Sequence, residues 1–305
     1  MIKLFNPDNY VIDTSIFNNL LHDKTVTDFE NSFAEYVGAK YACSINSATN
    51  AIFLIFLNKN ITVNVPSMIP PVVLNALITS GNKINFTDDV EWIGGSYILH
   101  QFEDYKVIDS AQRVDKDQFK NEANDDDLMF FSFYPTKPVG SCDGGIIVSN
   151  NFEKIKWFRE AVMNGMSYAD NNWDRTIKFP GYKMYMNSIQ CFMANENLKK
   201  LESNKSILNK VKDYYNQKLM LNNTSHHLYR IVVDDNKNFI KYMSENGVVC
   251  GIHYEAQHNN SVYNFGVDFH CPNSNLESKR TVSIPYNTKL TTDELDKIIQ
   301  LIKNY

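Results

Sequence analysis

The sequence lacks the patterns typical of disulfide-rich, membrane-spanning and nucleic-acid-binding proteins. Its five cysteines are widely spaced and form no CxxC pair, which argues against a disulfide framework and a zinc site. The most apolar run, Ala51 to Leu57, is too short to cross a bilayer, and MIKLFNPDNY contains no secretory apolar region. Thirty basic against 35 acidic residues give a net charge of -5, without the basic excess of a nucleic-acid binder. We therefore expect a cytoplasmic protein that binds neither membrane nor nucleic acid.

The sequence also has no internal repeat, coiled-coil run or low-complexity linker. Its 305 residues, 43% of them hydrophobic, suffice for one large domain or two unequal ones. A long helical pattern over residues 187–218 separates a longer segment from a shorter α+β segment. We predict a large domain over residues 1–200 and a small C-terminal domain over residues 201–305.

Strand-like and helical patterns alternate in the first two thirds of the chain, which predicts an α/β domain with a mostly parallel sheet flanked by helices. Thr27 and Glu30 form a capping-box pattern that predicts a helix starting at Thr27. Further helices are predicted at 51–57 and after Pro71, and strands at 41–45, 62–65, 83–86, 106–108, 128–133 and 146–149. The C-terminal segment has elements at 228–233, 239–246 (a helix) and 248–253, and a final helix from Thr292.

Three polar clusters follow predicted strands, at residues 46–49, 109–112 and 132–137. Ligand sites of α/β sheets gather at the carboxyl ends of the strands. We therefore expect these clusters to form one site.

Lys137 and Asp109 are the strongest candidates for chemistry. A lysine that is partly desolvated at a strand end has a lowered pKa and can act as a nucleophilic amine, although most single lysines are simply exposed. A buried acid such as Asp109 needs a cationic partner, which a pyridinium nitrogen would supply, although an aspartate can also cap a helix.

The Ser47-Ala48-Thr49 turn offers a phosphate cradle, because it opens a helix whose first N–H groups point outward. Serine and threonine are also common helix caps, so the turn alone does not decide between the two roles. Ser132 could add a second hydroxyl to the same phosphate.

Taken in order, these segments resemble the DegT/DnrJ/EryC1/StrS family of pyridoxal-phosphate (PLP) sugar aminotransferases, which have the aspartate aminotransferase fold (fold type I). The matching stretches are FENSFAEYVGAKYACSINSATNAI, VIDSAQ, FFSFYPTKPVGSCDGG, PGYKMYMNSIQ and GIHYEAQH. The resemblance implies that Lys137 forms the internal aldimine with PLP and later moves a proton at the substrate carbon. It also implies that Asp109 pairs with the pyridinium nitrogen and that Gln112 lies against the ring or its 3-hydroxyl.

The same resemblance assigns the remaining site residues. Ala48, Thr49 and Ser132 would hold the phosphate, and His253 and Tyr254 would lie at the substrate entrance. The family is typically a homodimer in which a Gly-Tyr-Lys loop completes the partner's site. That loop would bring Lys183 to the partner's cofactor or substrate.

Three of the chain's departures from the family pattern bear on the site. Ala48 stands where the family has glycine, which narrows the allowed backbone dihedrals. Pro70 stands where an aromatic side chain normally stacks on the cofactor ring, so either cofactor binding is weaker or Met68 substitutes as a polarizable contact. Lys183 and Tyr185 replace an asparagine that many members carry in the loop.

The resemblance implies transfer of an amino group from L-glutamate to a nucleotide-linked keto-sugar, with pyridoxamine phosphate as the intermediate form and 2-oxoglutarate as the second product. A 4-keto-6-deoxy sugar is the expected acceptor, and a 3-keto sugar is the alternative. A further alternative is a non-catalytic relative that serves as a partner or regulatory subunit. The presence of Lys137 disfavours the dehydratases of the family, in which histidine replaces it.

Overall fold

The computed structural model describes residues 1–168, 175–225 and 227–305. The strands are β1 (Tyr41–Ile45), β2 (Thr62–Pro66), β3 (Lys83–Thr87), β4 (Tyr97–Gln101), β5 (Lys106–Asp109), β6 (Leu128–Ser132), β7 (Gly145–Ser149), β8 (Met166–Tyr168), β9 (Arg175–Ile177), β10 (Tyr229–Val232) and β11 (Thr281–Ile284). The α-helices are α1 (Lys24–Val37), α2 (Ala48–Phe56), α3 (Pro71–Thr79), α4 (Gln118–Glu122), α5 (Phe152–Val162), α6 (Ser188–Leu219), α7 (Asn236–Glu245), α8 (Ser261–Asn264), α9 (Pro272–Arg280) and α10 (Thr292–Asn304). Two short 3-10 helices span Thr14–Ile16 and Gln257–Asn259.

The central sheet has five strands in the order β1-β7-β6-β5-β4. Strands β1, β5 and β6 run in one direction, and β4 and β7 run in the opposite direction. The sheet is therefore mixed, and within it only β5 and β6 pair in parallel, so the predicted predominance of parallel pairing is corrected. A short connection between β4 and β5 explains part of this difference, because parallel neighbours need a long crossover.

Side chains alternate between the two faces of the sheet. On β6, Leu128 and Phe130 pack with α2, α3 and α5, whereas Met129 and Phe131 pack with α1 and α6. Strands buried on both faces are expected to be apolar, as β6 is from Leu128 to Phe131. The result is a layer of helices on each side of the sheet, which confirms the predicted α/β architecture.

A third apolar cluster lies in the C-terminal part, between β10, β11, α7, α10 and the second half of α6. The start of the chain joins it, since the Ile2 N–H donates to the Gly247 carbonyl at 2.8 Å and Ile2 pairs with Val248. The division at residue 200, which falls within α6, stays a prediction.

One predicted helix start is wrong, and one predicted element has no regular structure. Helix α1 begins at Lys24, because the Asp23 carboxylate accepts the Thr25 N–H and caps the helix before Thr27 is reached. Residues 248–253 form no strand, because only single bridges at Val248 and Gly251 join them to other segments. In the part of the chain that the structure describes, no helix is long and apolar enough to cross a bilayer.

Phe33 tests the packing of α1 on the sheet. Its side chain is fully buried, and its ring contacts those of Phe29, Phe131 and Phe133. We expect Phe33→Ala to lower the free energy of unfolding by about 3–5 kcal/mol, since it leaves a cavity among aromatic rings. The exposed residue Glu35 of the same helix, changed to alanine, is the control and should cost less than about 0.5 kcal/mol. Urea titration measures both, and equal effects would contradict this packing.

Candidate active site

Strand ends bring the three polar clusters to one edge of the sheet. Strands β5 and β6 end there at Asp109 and Ser132, and β1 ends there at Ile45, just before α2. Because β7 and β4 run in the opposite direction, they begin at this edge, so that Gly145 lies opposite Ser132 and Tyr97 lies opposite Asp109. The predicted meeting of the clusters is therefore observed.

The first turn of α2 forms the cradle predicted for a phosphate. The Ser47 hydroxyl accepts the Asn50 N–H, and helix geometry leaves the N–H groups of Ala48 and Thr49 without partners inside the helix. A Cβ on Gly145 would come within 2.7 Å of the Ala48 nitrogen, so glycine keeps this space open. Ala48 is itself the first helical residue, a conformation that alanine adopts readily, and the glycine of the family pattern is therefore not required there.

Lys137 lies in the turn after β6, where its N–H donates to the Tyr134 carbonyl at 2.9 Å. Burial of the amine lowers the pKa of Lys137 to about 8, and the nearby negative charge of Asp109 opposes this effect. The Lys137 Nζ lies 3.4 Å from the Nε2 of His227, a buried histidine that shortly precedes β10. Burial and the Lys137 charge hold the pKa of His227 well below its usual value, so the ring is neutral at neutral pH.

Asp109 is buried and has two hydrogen-bond donors. The Ala111 N–H donates to its Oδ1 at 2.9 Å, and the Tyr97 hydroxyl donates to its Oδ2 at 3.0 Å. Burial raises the pKa of Asp109, while these donors and the charge of Lys137 act in the opposite direction. A buried carboxylate of this kind is stabilised further by a cation placed against it.

Gln112 is fixed on both sides. Its Oε1 accepts the Gly94 N–H at 2.6 Å, and its Nε2 donates to the Tyr254 hydroxyl at 2.8 Å. The Tyr254 ring is nearly parallel to that of Trp92, with the ring centroids 6.0 Å apart. These contacts connect the C-terminal segment around Tyr254 to the sheet edge.

One cavity of about 380 Å³ collects most of the predicted site. Seven of the predicted residues line it: Ala48, Thr49, Asp109, Gln112, Ser132, Lys137 and Tyr254. Pro70 also lines this cavity, whereas Met68 is buried in the core and pairs with Ala256. The suggestion that Met68 substitutes for a stacking aromatic is therefore wrong. The aromatic residues that line the cavity are Trp92, Phe130, Tyr134 and Tyr254.

Two predicted residues lie outside this cavity. His253 packs against the rings of Phe5 and Tyr254, and its Nδ1 is 2.9 Å from the Ser283 hydroxyl. Burial, with a contribution from the Lys137 charge, lowers the pKa of His253 to about 4. Lys183 is exposed and its backbone pairs with Met163, away from the Lys137 amine of its own chain.

Sequence reasoning missed three residues of this site: Trp92, Tyr97 and His227. The first two lie in EWIGGSY, which carries no motif, and His227 stands just before the element predicted at 228–233. An aromatic residue in such segments is equally typical of ordinary core packing, so no local signal distinguishes a residue of the site from a residue of the core. In the described residues, no cluster of histidine, cysteine or carboxylate side chains could hold a metal ion.

The chain has the fold of aminotransferases, as shown by TlmJ from Streptoalloteichus hindustanus, with a TM-score of 0.84 at 18% identity over 100% of this chain and 98% of that one. PseC from Helicobacter pylori, an aminotransferase involved in the biosynthesis of pseudoaminic acid, matches with a TM-score of 0.78 at 17% identity over 98% of each chain.

The family follows from the sequence comparison. The chain belongs to the DegT/DnrJ/EryC1/StrS aminotransferase family, whose model matches residues 8–90 and 109–303. Members of this family depend on PLP. A relative from Campylobacter jejuni, UDP-4-amino-4,6-dideoxy-N-acetyl-β-L-altrosamine transaminase, is 24% identical over 343 residues, covering 92% of this chain and 91% of the relative. The sequence-based assignment to an aminotransferase family is thereby confirmed.

The pKa of Lys137 predicts the pH dependence of its reactivity. In the cofactor-free protein, trapping of a small aldehyde on this residue with cyanoborohydride should rise with pH to a midpoint near 8, because the neutral amine is the nucleophile. Ordinary surface lysines titrate at about 10.4. Asp109→Asn should move the midpoint down, because it removes a negative charge that stabilises the ammonium form. Peptide-resolved mass spectrometry measures the profile, and a midpoint near that of surface lysines would contradict the prediction.

Proposed function

We propose that this chain is a PLP-dependent aminotransferase that moves an amino group from L-glutamate to a nucleotide-linked 4-keto-6-deoxy sugar. The observation that carries the proposal is the meeting of the buried Lys137 amine, the buried Asp109 carboxylate and the α2 cradle in one cavity. The Campylobacter relative supports the choice of acceptor, since its name describes a 4-amino-4,6-dideoxy sugar. A 3-keto sugar is the alternative acceptor.

The residues of the cavity fit PLP by their chemistry. An amine with a pKa near 8 is available for an aldehyde, and a buried carboxylate is available for a cationic ring nitrogen. The start of α2, with the hydroxyl groups of Thr49 and Ser132, is available for a phosphate. We assign Lys137, Asp109, and the set Ala48, Thr49 and Ser132 to these three roles. Gln112 and the aromatic surface of Trp92 and Tyr254 would border the ring.

When bound, PLP supplies an electron sink for the carbon that carries the amino group. The protein's part is to hold that sink in its protonated form through Asp109 and to move a proton with the Lys137 amine. The His227 ring lies beside the Lys137 Nζ and is neutral, so it adds no positive charge next to that amine. Burial of Lys137 and Asp109 excludes water, which strengthens the electrostatic interaction between these two groups.

We also propose that the enzyme is a cytoplasmic homodimer in which Lys183 serves the partner's site. Lys183 is exposed and lies outside the cavity of its own chain, as such a role requires. In a twofold dimer the same loop of each subunit reaches the other subunit. Tyr254, which lines the cavity, would then border the sugar, whereas His253 lies outside the cavity.

Lys137→Ala tests the catalytic assignment. The variant should lose the yellow absorption of lysine-bound PLP and should lower the turnover of glutamate and a UDP-linked 4-keto-6-deoxy sugar by at least about 100-fold, because the positioned proton-transfer group is gone. Lys303→Ala, at the exposed end of α10, is the matched control and should behave as the wild type. Release of 2-oxoglutarate and mass analysis of the sugar measure turnover, and a 3-keto isomer assayed in parallel decides the acceptor. Equal behaviour of the two variants would favour the non-catalytic alternative.

Mixed dimers test the role of Lys183. We expect Lys137→Ala and Lys183→Ala homodimers each to be impaired. A mixture that exchanges subunits should regain activity, because one hybrid site has both lysines. Turnover is measured before and after subunit exchange to detect the recovery of activity. Sedimentation measures the mass of the assembly. An absence of recovery in a proven hybrid, or a monomer with full activity, would contradict the shared site.

A further inference from the structure

The β4–β5 hairpin and the loop before it reach the cavity through Asp109 and Trp92. The family model matches residues 8–90 and 109–303, so this segment lies between its two matched parts. It nevertheless contacts two of the predicted site residues: the Tyr97 hydroxyl donates to Asp109, and the Gly94 N–H donates to Gln112. A segment outside the family match thus holds two residues of the site.

Tyr97 is placed by the register of the hairpin and by packing. It lies directly opposite Asp109 in the antiparallel β4–β5 pair, where its hydroxyl reaches Oδ2 at 3.0 Å. Its ring packs on that of Trp92, with the centroids 4.7 Å apart. Burial and the charge of Asp109 raise the pKa of Tyr97 well above its usual value, so the hydroxyl keeps its proton and remains a donor.

We propose that Tyr97 is a positioning residue that fixes the Asp109 carboxylate in its ionised form for a cationic ring nitrogen in the cavity. The inference rests on the proposed function, since that nitrogen belongs to PLP. The residue that supports Asp109 lies in the segment between the two parts of the chain that the family model matches.

The charges around Asp109 set the direction of the effect. The groups that face it are the Tyr97 hydroxyl from β4, the Lys137 amine from the turn after β6, and the Tyr254 hydroxyl from the C-terminal segment. The Tyr97 hydrogen bond lowers the pKa of Asp109, so its removal raises that pKa. As pH falls, Asp109 would then become protonated earlier and would lose its attraction for a cation at a higher pH.

Tyr97→Phe tests the proposal, because it removes only the hydroxyl and keeps the ring on Trp92. We expect its affinity for PLP, measured by absorbance titration without sugar or glutamate, to fall about tenfold at neutral pH, as is typical for a lost hydrogen bond to a charged group. The fall in affinity toward acid pH should also begin at a higher pH than in the wild type. A purely structural role would weaken binding equally at all pH values.

Two comparisons sharpen the test. Tyr105→Phe, at the other end of the same hairpin, should match the wild type. In the Asp109→Asn background, Tyr97→Phe should not move the pH profile further, because the titrating group is absent. An unchanged acid limb in Tyr97→Phe would overturn the proposal. So would a shift of the same size when Tyr97→Phe is added to Asp109→Asn.

Urea unfolding of the cofactor-free protein separates this proposal from the proposed function. The four proteins of the Tyr97 and Asp109 double-mutant cycle should show a coupling of about tenfold in the unfolding equilibrium constant at neutral pH. If the wild type binds no PLP but the coupling is present, the proposed function fails while the support of Asp109 by Tyr97 stands. Additive effects would overturn the proposal whatever the cofactor result.

Discussion

The attraction between the Lys137 amine and the Asp109 carboxylate is the interaction around which this site is built. Each group alone would be costly to bury, and the structure shows the effect in both directions: burial lowers the pKa of Lys137 and raises that of Asp109, and each charge opposes the shift of the other. Burial thus leaves the amine a usable nucleophile near neutral pH, although the charge of Asp109 favours its ammonium form. Removal of either charge would change the protonation of the other.

The mixed direction of the sheet decides what surrounds this pair. With strands in one direction only, the edge would collect strand ends and the loops that follow them. Because β7 and β4 run in reverse, their first residues, Gly145 and Tyr97, also lie at the edge. Gly145 leaves space at the start of α2, and Tyr97 adds a donor to Asp109. The antiparallel strands are thus part of the site as well as of the fold.

The aromatic surface of the cavity comes from an unexpected part of the chain. Pro70 borders the cavity just before α3 and offers no aromatic ring, and Met68 is buried in the core. Trp92 and Tyr254 lie nearly parallel in the same cavity and come from segments far apart in sequence. The cavity therefore has an aromatic surface although Pro70 offers no ring.

The sequence by itself determined which polar residues stand where strands end and where a helix begins. Lys137, Asp109, Ser132 and the Ala48-Thr49 turn each stand close to the end of a strand or at the start of a helix, and these patterns extend over only a few residues. Only the tertiary structure decided the direction of β4, the burial of Met68, and the contacts of Trp92, Tyr97 and His227 with the site. Those contacts join side chains remote in sequence, and a tyrosine or histidine at a strand end has the same local signal whether it faces a carboxylate, an amine or the core.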